Sequence, residues 1–156
     1  MKTMNEKTDR ATVLVCEDEF VVALDLKLLI EEFGFEVMGP FAKRSDALEI
    51  LEKGLPDVAL LDVRLKDGEV FPLADKLVDL GVPIVFHSGH IFEEDVRNRY
   101  PGAETCQKPV SAKHLRTTLE TARQERRSTI GTARCGIGDL QAGNGLESQC
   151  PLRTQR

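Results

Sequence analysis

Short apolar runs alternate with longer amphipathic segments from residue 11 to residue 126 of this 156-residue chain. A strand that is buried on both faces reads as a nearly continuous apolar run, whereas a helix that covers a sheet repeats its apolar residues about every 3.6 positions. Their alternation predicts an α/β domain in which a parallel sheet carries helices on both faces. The predicted strands are residues 12–16, 36–40, 57–61, 82–86 and 105–107.

The amphipathic segments have recognisable ends. Ser45 and Ser111 are good N-cap residues, and a glycine such as Gly34 favours the left-handed conformation that closes a helix. Between residues 91 and 100, charged side chains interrupt the apolar spacing, so a helix there should be short. The other predicted helices are residues 20–33, 45–54, 70–80 and a last helix that begins at Ser111.

The two ends of the chain differ in amino-acid composition from the middle of the chain. Residues 1–10 are polar with charges of both signs, and residues 127–156 are rich in Gly, Ser, Thr, Gln and Arg. Such compositions bury too little apolar surface to offset the entropy of folding. We therefore expect a disordered lead-in over residues 1–10, one folded domain over residues 11–126, and a disordered tail over residues 127–156.

Composition argues against several classes of protein. The chain has no apolar run near the ~20 residues that a membrane-spanning helix needs, and its first residues lack the apolar stretch of a secretory signal. We therefore expect a cytoplasmic protein without a membrane partner. The net charge is −5, and the first 120 residues contain no cluster of Lys and Arg. Since phosphate-backbone affinity comes from such clusters, we expect no nucleic-acid partner.

Polar residues follow four of the predicted strands. Glu17 and Asp18 come after the first strand, Asp62 after the third, Ser88 after the fourth and Lys108 after the fifth. Each residue alone has an ordinary structural explanation, such as a helix N-terminus or a turn. In an open parallel sheet, however, functional groups gather beyond the carboxyl ends of the strands. Polar residues at the ends of four strands of one sheet therefore indicate one site.

The residue types of this site suit phosphoryl chemistry with a metal ion. Carboxylates that lie close together repel one another unless a cation sits among them, and Mg²⁺ prefers such hard oxygen ligands. A carboxylate that attacks a phosphoryl group needs the spreading negative charge neutralised, which Lys108 and the metal would do. The Ser88 hydroxyl could meet a phosphoryl oxygen and move its loop when phosphate arrives.

Four stretches of the sequence resemble the signature stretches of receiver domains in two-component signalling. They are VLVCEDE at residues 13–19, ALLDV at residues 59–63, FHSG at residues 86–89 and QKP at residues 107–109. The resemblance covers about residues 11–124. It implies a flavodoxin-like, doubly wound sheet of five parallel strands in the order 2-1-3-4-5, with helices on both faces.

The resemblance also implies a role for each site residue and for the partners. A histidine kinase or a histidine phosphotransfer protein would donate the phosphoryl group, and an output protein of unknown identity would read it. The chain would not be an enzyme beyond autocatalytic phosphotransfer and slow self-dephosphorylation. The implied roles are phosphoacceptor for Asp62, Mg²⁺ ligation for Asp18, Asp62, Glu17 and the backbone carbonyl of Arg64, phosphate contact for Lys108, switch hydroxyl for Ser88 and a cis peptide for Pro109.

Two features depart from the family pattern. The family commonly has Tyr or Phe three residues before the lysine, as a rotating switch aromatic, and this chain has Thr105 there. The stretch between Ser88 and Lys108 is also somewhat compressed. We therefore expect phosphorylation to act by ordering or displacing the segment at residues 91–99, with Ser88 as the link, and not by rotating a ring.

Three alternatives to a stand-alone receiver would need sequence features that this chain lacks. An aspartate-nucleophile phosphohydrolase of the haloacid-dehalogenase kind needs Asp-x-Asp, whereas Asp62 is followed by Val63 and Arg64. A receiver-like module that binds partners without phosphorylation would have an incomplete acidic set, and this set is complete. A transcription factor would need a helix-turn-helix domain after the receiver, and residues 127–156 lack the helical periodicity for one.

Overall fold

A parallel five-stranded sheet forms the centre of the molecule in the computed structural model, which describes residues 9–89 and 93–135. The order of its strands is β2-β1-β3-β6-β7, which is 2-1-3-4-5 when only the sheet strands are counted. All four neighbouring pairs are parallel. The predicted fold class is therefore confirmed. The strands are β1 (Thr12–Cys16), β2 (Glu36–Phe41), β3 (Val58–Leu61), β6 (Ile84–Ser88) and β7 (Glu104–Gln107).

Five helices and one small hairpin complete the described residues. The hairpin consists of β4 (Arg64–Leu65) and β5 (Gly68–Glu69), and the sequence patterns did not predict it. None of the helices in the described part of the chain is long and apolar enough to cross a membrane. The helices are α1 (Phe20–Glu32), α2 (Arg44–Leu51), α3 (Phe71–Asp79), α4 (Glu93–Arg99) and α5 (Ala112–Cys135).

The core has two halves because successive strand residues point to opposite faces of the sheet. On one face, Leu61 and Phe86 are fully buried with residues of α2, α3 and α4. On the other face, Leu60 and Val85 are buried with residues of α1 and α5. Burial on both faces explains why the strands read as continuous apolar runs.

Helix α2 begins one residue earlier than predicted and has a different cap. Its N-cap is Lys43, and its first residue is Arg44. The free backbone N–H groups of Arg44 and Ser45 donate to the carboxylate of Asp67 at 2.7 and 2.9 Å. Asp67 lies in the β4–β5 hairpin, so the cap is supplied across the fold. The prediction of Ser45 as N-cap was wrong because no local pattern reveals a cap from a distant hairpin.

Helix α5 extends further than predicted. The hydroxyl of Ser111 accepts a hydrogen bond from the N–H of His114 at 3.2 Å, which confirms the predicted cap at its start. The helix continues to Cys135, so residues 127–135 of the predicted disordered tail are helical. The rest of the predicted tail, residues 136–156, and most of the predicted lead-in, residues 1–8, lie outside the described residues.

Strand β2 passes unusually close to β1 at Gly39. Gly39 has a φ of +111°, and a Cβ atom there would lie 2.8 Å from the carbonyl oxygen of Val15. The pairing register of β1 and β2 shifts at the same point, between Leu14 and Cys16. Glycine is needed here because any side chain would meet the backbone of β1. The shift brings the end of β2 to the acidic residues that follow β1.

Helix α4 is short, as predicted, and polar contacts tie its end to α3. The Asp75 carboxylate accepts a hydrogen bond from the Tyr100 hydroxyl at 2.5 Å and pairs with the Arg99 guanidinium at 2.9 Å. The Arg99 guanidinium also lies over the Phe71 ring, 4.7 Å from its centre. We call Phe71, Asp75, Arg99 and Tyr100 the α3–α4 clamp. With Val96 and Tyr100 buried, this clamp compensates for the few apolar residues of α4.

Candidate functional site

Three carboxylates converge at the carboxyl end of the sheet. The N–H of Glu17 donates to the carbonyl of Phe41 at 3.0 Å, and the N–H of Asp62 donates to the carbonyl of Cys16 at 2.9 Å. These bonds extend the hydrogen bonding of the sheet by one residue beyond β1 and β3, and they fix the positions of Glu17 and Asp62 at the strand ends. As a result, carboxylate oxygens of Glu17, Asp18 and Asp62 lie within 4.8 Å of one another.

A single lysine lies between two of these carboxylates. The Nζ of Lys108 is 2.9 Å from Oδ2 of Asp62 and 3.0 Å from Oε2 of Glu17. Its position is set by the last residue of β6, because the N–H of Lys108 donates to the carbonyl of Ser88 at 3.0 Å. The ends of β1, β3 and β7 thus contribute side chains to one cluster, and the end of β6 positions Lys108 through the Ser88 carbonyl.

The two carboxylates beside Lys108 differ in their acidity. Burial opposes ionisation of Glu17, but the His87 ring and the Lys108 ammonium outweigh it and lower the Glu17 pKa to about 2. Burial raises the Asp62 pKa to about 6, and the charge of Glu17 adds to this effect against the opposing influence of Lys108. Without a metal ion, the site therefore holds a permanent anion at Glu17 and an anion at Asp62 that is costly to form.

The site is deep but open on one side. Glu17 is 1% exposed and Asp62 is 9% exposed, whereas Asp18 is half-buried. The Lys108 side chain is 27% exposed. An incoming group can therefore reach Asp62 from solvent, while Glu17 can be reached only through the site itself.

The remaining predicted residues lie in or just after β4, β6 and β7. Ser88 ends β6 and is buried, and the N–H of Arg64 points to Oδ1 of Asp62 at 3.4 Å. The Lys108–Pro109 peptide bond is cis. Thr105 pairs with Phe86 in the sheet and is half-buried.

The sequence interpretation missed His87. This residue is 3% exposed, and neither of its ring nitrogens has a hydrogen-bond partner within the described ranges. Its Nδ1 lies 3.8 Å from Oε2 of Glu17. The available signal was a histidine inside an otherwise apolar strand, at the residue immediately before Ser88.

The donor set of the cluster fits a hard divalent cation. Its three carboxylates supply only oxygen atoms, and among the residues that the structure describes no histidine nitrogen or cysteine sulfur joins them. Mg²⁺ binds through one or two carboxylates and keeps several waters, which suits a cluster that is open on one side. The raised pKa of Asp62 supports this fit, because the cluster carries more negative charge than Lys108 neutralises.

An exposed apolar surface borders the site. We call it the α1 face, and it consists of Phe20, Val21, Leu24 and Leu28, which are 80, 77, 45 and 57% exposed. These side chains are large, and three of them follow the spacing of one side of a helix. Beside the α1 face, a groove of about 460 Å³ runs between α1 and the segment after β7, and is lined by Val22, Lys108 and Pro109 among others.

Comparisons with known proteins agree with this geometry. The regulator PhyR of Methylorubrum extorquens is 37% identical over 82 residues, which make up 50% of this chain and 31% of PhyR. The sensory transduction protein LytT of Bacillus anthracis is 31% identical over 127 residues, or 76% of this chain and 49% of LytT. The matched part of this chain therefore covers less than half of either relative.

A solved structure and a family model complete the comparison. The signal receiver domain of a modulated diguanylate cyclase from Desulfovibrio desulfuricans superposes with a TM-score of 0.69 at 26% identity, covering 78% of this chain and 99% of that domain. The family model for the response regulator receiver domain matches residues 13–120. This match spans most of the chain and includes the acidic cluster and Lys108. The chain belongs to the receiver-domain family of response regulators.

Proposed function

We propose that the chain is a phosphoacceptor that takes a phosphoryl group on Asp62 and changes its binding to an output protein. The observation that carries this proposal is the contact of Lys108 Nζ with Oδ2 of Asp62 at 2.9 Å, inside a cluster of three carboxylates. Of these three, Asp62 combines partial exposure with a direct lysine contact. Of the relatives of this chain, PhyR is named a regulator and LytT a sensory transduction protein, which agrees with a role in signalling.

The chemistry follows from the arrangement of charges. A carboxylate oxygen of Asp62 attacks the phosphorus of a phosphohistidine, the bond from phosphorus to the histidine nitrogen breaks, and that nitrogen keeps the electron pair and takes up a proton. Lys108 neutralises charge on the phosphoryl oxygens during transfer. Mg²⁺ held by Asp18, Asp62 and the Arg64 carbonyl, near Glu17, would supply further neutralisation when bound.

A test of the phosphoacceptor uses a small-molecule phosphodonor with Mg²⁺. We expect one phosphoryl group per chain, stable in acid and labile in base, at Asp62 by mass spectrometry. Asp62→Asn should abolish labelling. The matched control is Asp79→Asn, because Asp79 is exposed at the end of α3 and remote from the site. Labelling that persists at Asp18 or Glu17 in Asp62→Asn would contradict the assignment.

The α1 face is the proposed docking surface for the protein that donates the phosphoryl group. It begins directly after the acidic residues, and soluble proteins rarely expose a contiguous apolar patch without a partner. Val21→Lys should slow transfer from a histidine kinase that labels the wild-type chain, without changing labelling by the small phosphodonor. The control is Val78→Lys on α3, where Val78 is also exposed. Equal slowing by both variants would exclude a specific role for α1.

Output is proposed to pass through Ser88 to the segment at residues 91–99. Thr105 has no ring to rotate, and Phe86, its partner in the sheet, instead contacts the Tyr100 ring with 5.3 Å between ring centres. The α3–α4 clamp thus occupies the neighbourhood through which a switch would act. Hydrogen exchange with and without a phosphoryl mimic should change most between residues 88 and 100. Changes confined to the other strand ends would contradict this route.

A further inference from the structure

His87 is a buried histidine that no other part of the proposed function uses. Its side chain points to the opposite face of the sheet from Ser88, since neighbouring strand residues alternate. Neither ring nitrogen is hydrogen-bonded within the described ranges, and buried polar atoms are usually satisfied because leaving them unpaired costs free energy. The charged side chain of Glu17 lies beside it, with 3.8 Å between Nδ1 and Oε2.

Glu17 depends on a lysine that it must share. Its Oε2 atom pairs with Lys108 at 3.0 Å in a contact that lacks the alignment of a hydrogen bond. The same ammonium donates to Asp62 at 2.9 Å. Phosphorylation replaces the single negative charge of the Asp62 carboxylate with a phosphoryl group that carries almost two, and it adds three strong acceptor oxygens. Lys108 would then be drawn towards the phosphoryl group, and the fully buried Glu17 carboxylate would lose its direct ammonium contact, which is unfavourable.

We propose that His87 takes the place of Lys108 at Glu17 when Asp62 is phosphorylated. The Nδ1–H group would donate to Oε2 after a closure of about 1 Å, from 3.8 Å to the usual length of such a bond. The neutral imidazole carries one N–H donor, so no change of protonation is needed. His87 is therefore a positioning residue, and this inference rests on the proposed phosphorylation of Asp62.

Two features of the fold allow this movement. The His87 ring lines the groove of about 460 Å³ beside α1, together with Lys108 and Leu29, so open space adjoins it. His87 also directly precedes Ser88 at the end of β6. A displacement that brings the Ser88 hydroxyl to a phosphoryl oxygen moves the His87 backbone as well. One shift of the end of β6 can therefore bring Ser88 to the phosphoryl group and His87 to the Glu17 carboxylate.

The test measures the affinity of beryllium fluoride, a phosphoryl mimic, in saturating Mg²⁺. His87→Phe keeps a ring and removes the donor, and should weaken this affinity about tenfold or more, as expected for a lost hydrogen bond to a charged group. His87→Asn places an amide N–H near the position of Nδ1 and should recover most of the loss. Mg²⁺ affinity without the mimic should change much less in both variants, because Lys108 still pairs with Glu17 in that state.

The outcomes separate this inference from the proposed function. A wild-type chain that does not bind beryllium fluoride would contradict the phosphoacceptor role itself. Wild-type binding with equal affinity in His87→Phe would overturn only the role of His87. The same holds if His87→Asn fails to recover affinity, or if Mg²⁺ binding alone weakens as much as binding of the mimic. Should His87→Phe fail to fold, His87→Leu provides the donor-free variant for the same comparison with His87→Asn.

Discussion

At the scale of single residues, the sequence predicted which side chains meet but not how they share charge. Asp62, Glu17 and Lys108 could be found because each directly follows a recognisable strand, and strand ends of a parallel sheet converge. That one ammonium serves two carboxylates depends on distances of 2.9 and 3.0 Å, which only the folded chain defines. His87 was missed for a related reason, since only the folded chain shows that its ring is buried beside Glu17.

The raised pKa of Asp62 predicts that its charge destabilises the metal-free fold. A folded pKa of about 6, against about 3.9 in an unfolded chain, means that the folded state binds this proton more tightly. The resulting stability is fully present below about pH 4 and is lost as pH rises through 6. Glu17, with a folded pKa of about 2 against about 4.3 in an unfolded chain, acts in the opposite direction: its contribution to stability is present above about pH 4 and is lost as pH falls through 2.

Asp62→Asn should therefore stabilise the metal-free protein at pH 7 by on the order of 1–3 kcal/mol. Urea unfolding in a chelator measures this difference. The gain should shrink towards pH 4.5, where wild-type Asp62 is largely protonated, and Mg²⁺ should stabilise the wild type more than the variant. A variant that is less stable than the wild type at pH 7 without metal would show that the carboxylate is not strained there.

At the scale of elements, apolar periodicity predicted most helices and strands within two residues. It failed where an element depends on a distant polar group. The start of α2 is set by Asp67, more than 20 positions along the chain from Ser45, and the β4–β5 hairpin is too short to show a pattern. Helix α4 was correctly expected to be short, but its attachment to α3 through Asp75 and Tyr100 could not be read from spacing.

The α3–α4 clamp predicts that the Tyr100 hydroxyl stabilises the end of α4. Tyr100→Phe keeps the ring against Phe86 and removes the hydrogen bond to Asp75, which should cost about 1 kcal/mol. If α4 opens locally, amide exchange over residues 93–99 should rise about fivefold. As a control, Glu120→Gln breaks an exposed pair with Arg116 on α5 and should leave α4 exchange unaltered. Unchanged exchange in Tyr100→Phe would mean that the clamp is incidental.

At the scale of the complete fold, the resemblance to receiver domains predicted the strand order, and the motifs at the strand ends predicted the location of the site. The limit of the folded domain was less well predicted, because the composition after residue 126 suggested disorder while α5 continues to Cys135. A helix whose preceding turn already packs against the domain can continue through residues with little apolar pattern. Each added residue then forms one more backbone hydrogen bond. Arg126 docks α5 onto the domain by pairing with Asp57 and donating to the Pro56 carbonyl.

This boundary predicts how far the chain can be shortened. A chain that ends at Ser128 keeps Arg126 and should melt at the temperature of the full chain. A chain that ends at Glu125 loses the contacts to Asp57 and Pro56 and should melt about 4 °C lower, which corresponds to about 1 kcal/mol in a domain of this size. Thermal unfolding by circular dichroism distinguishes them. Equal melting temperatures would place the end of the folded unit before Arg126.

Tyr100 also gives the protein a built-in optical reporter. The chain contains no tryptophan and one tyrosine, so its intrinsic emission near 300 nm comes from Tyr100 alone. The Tyr100 hydroxyl donates to the Asp75 carboxylate, an acceptor that can quench the excited phenol by accepting its proton. Opening of the α3–α4 clamp would separate the two groups and brighten the emission. Phosphorylation that reaches α4 should therefore be visible as a fluorescence change without any attached label.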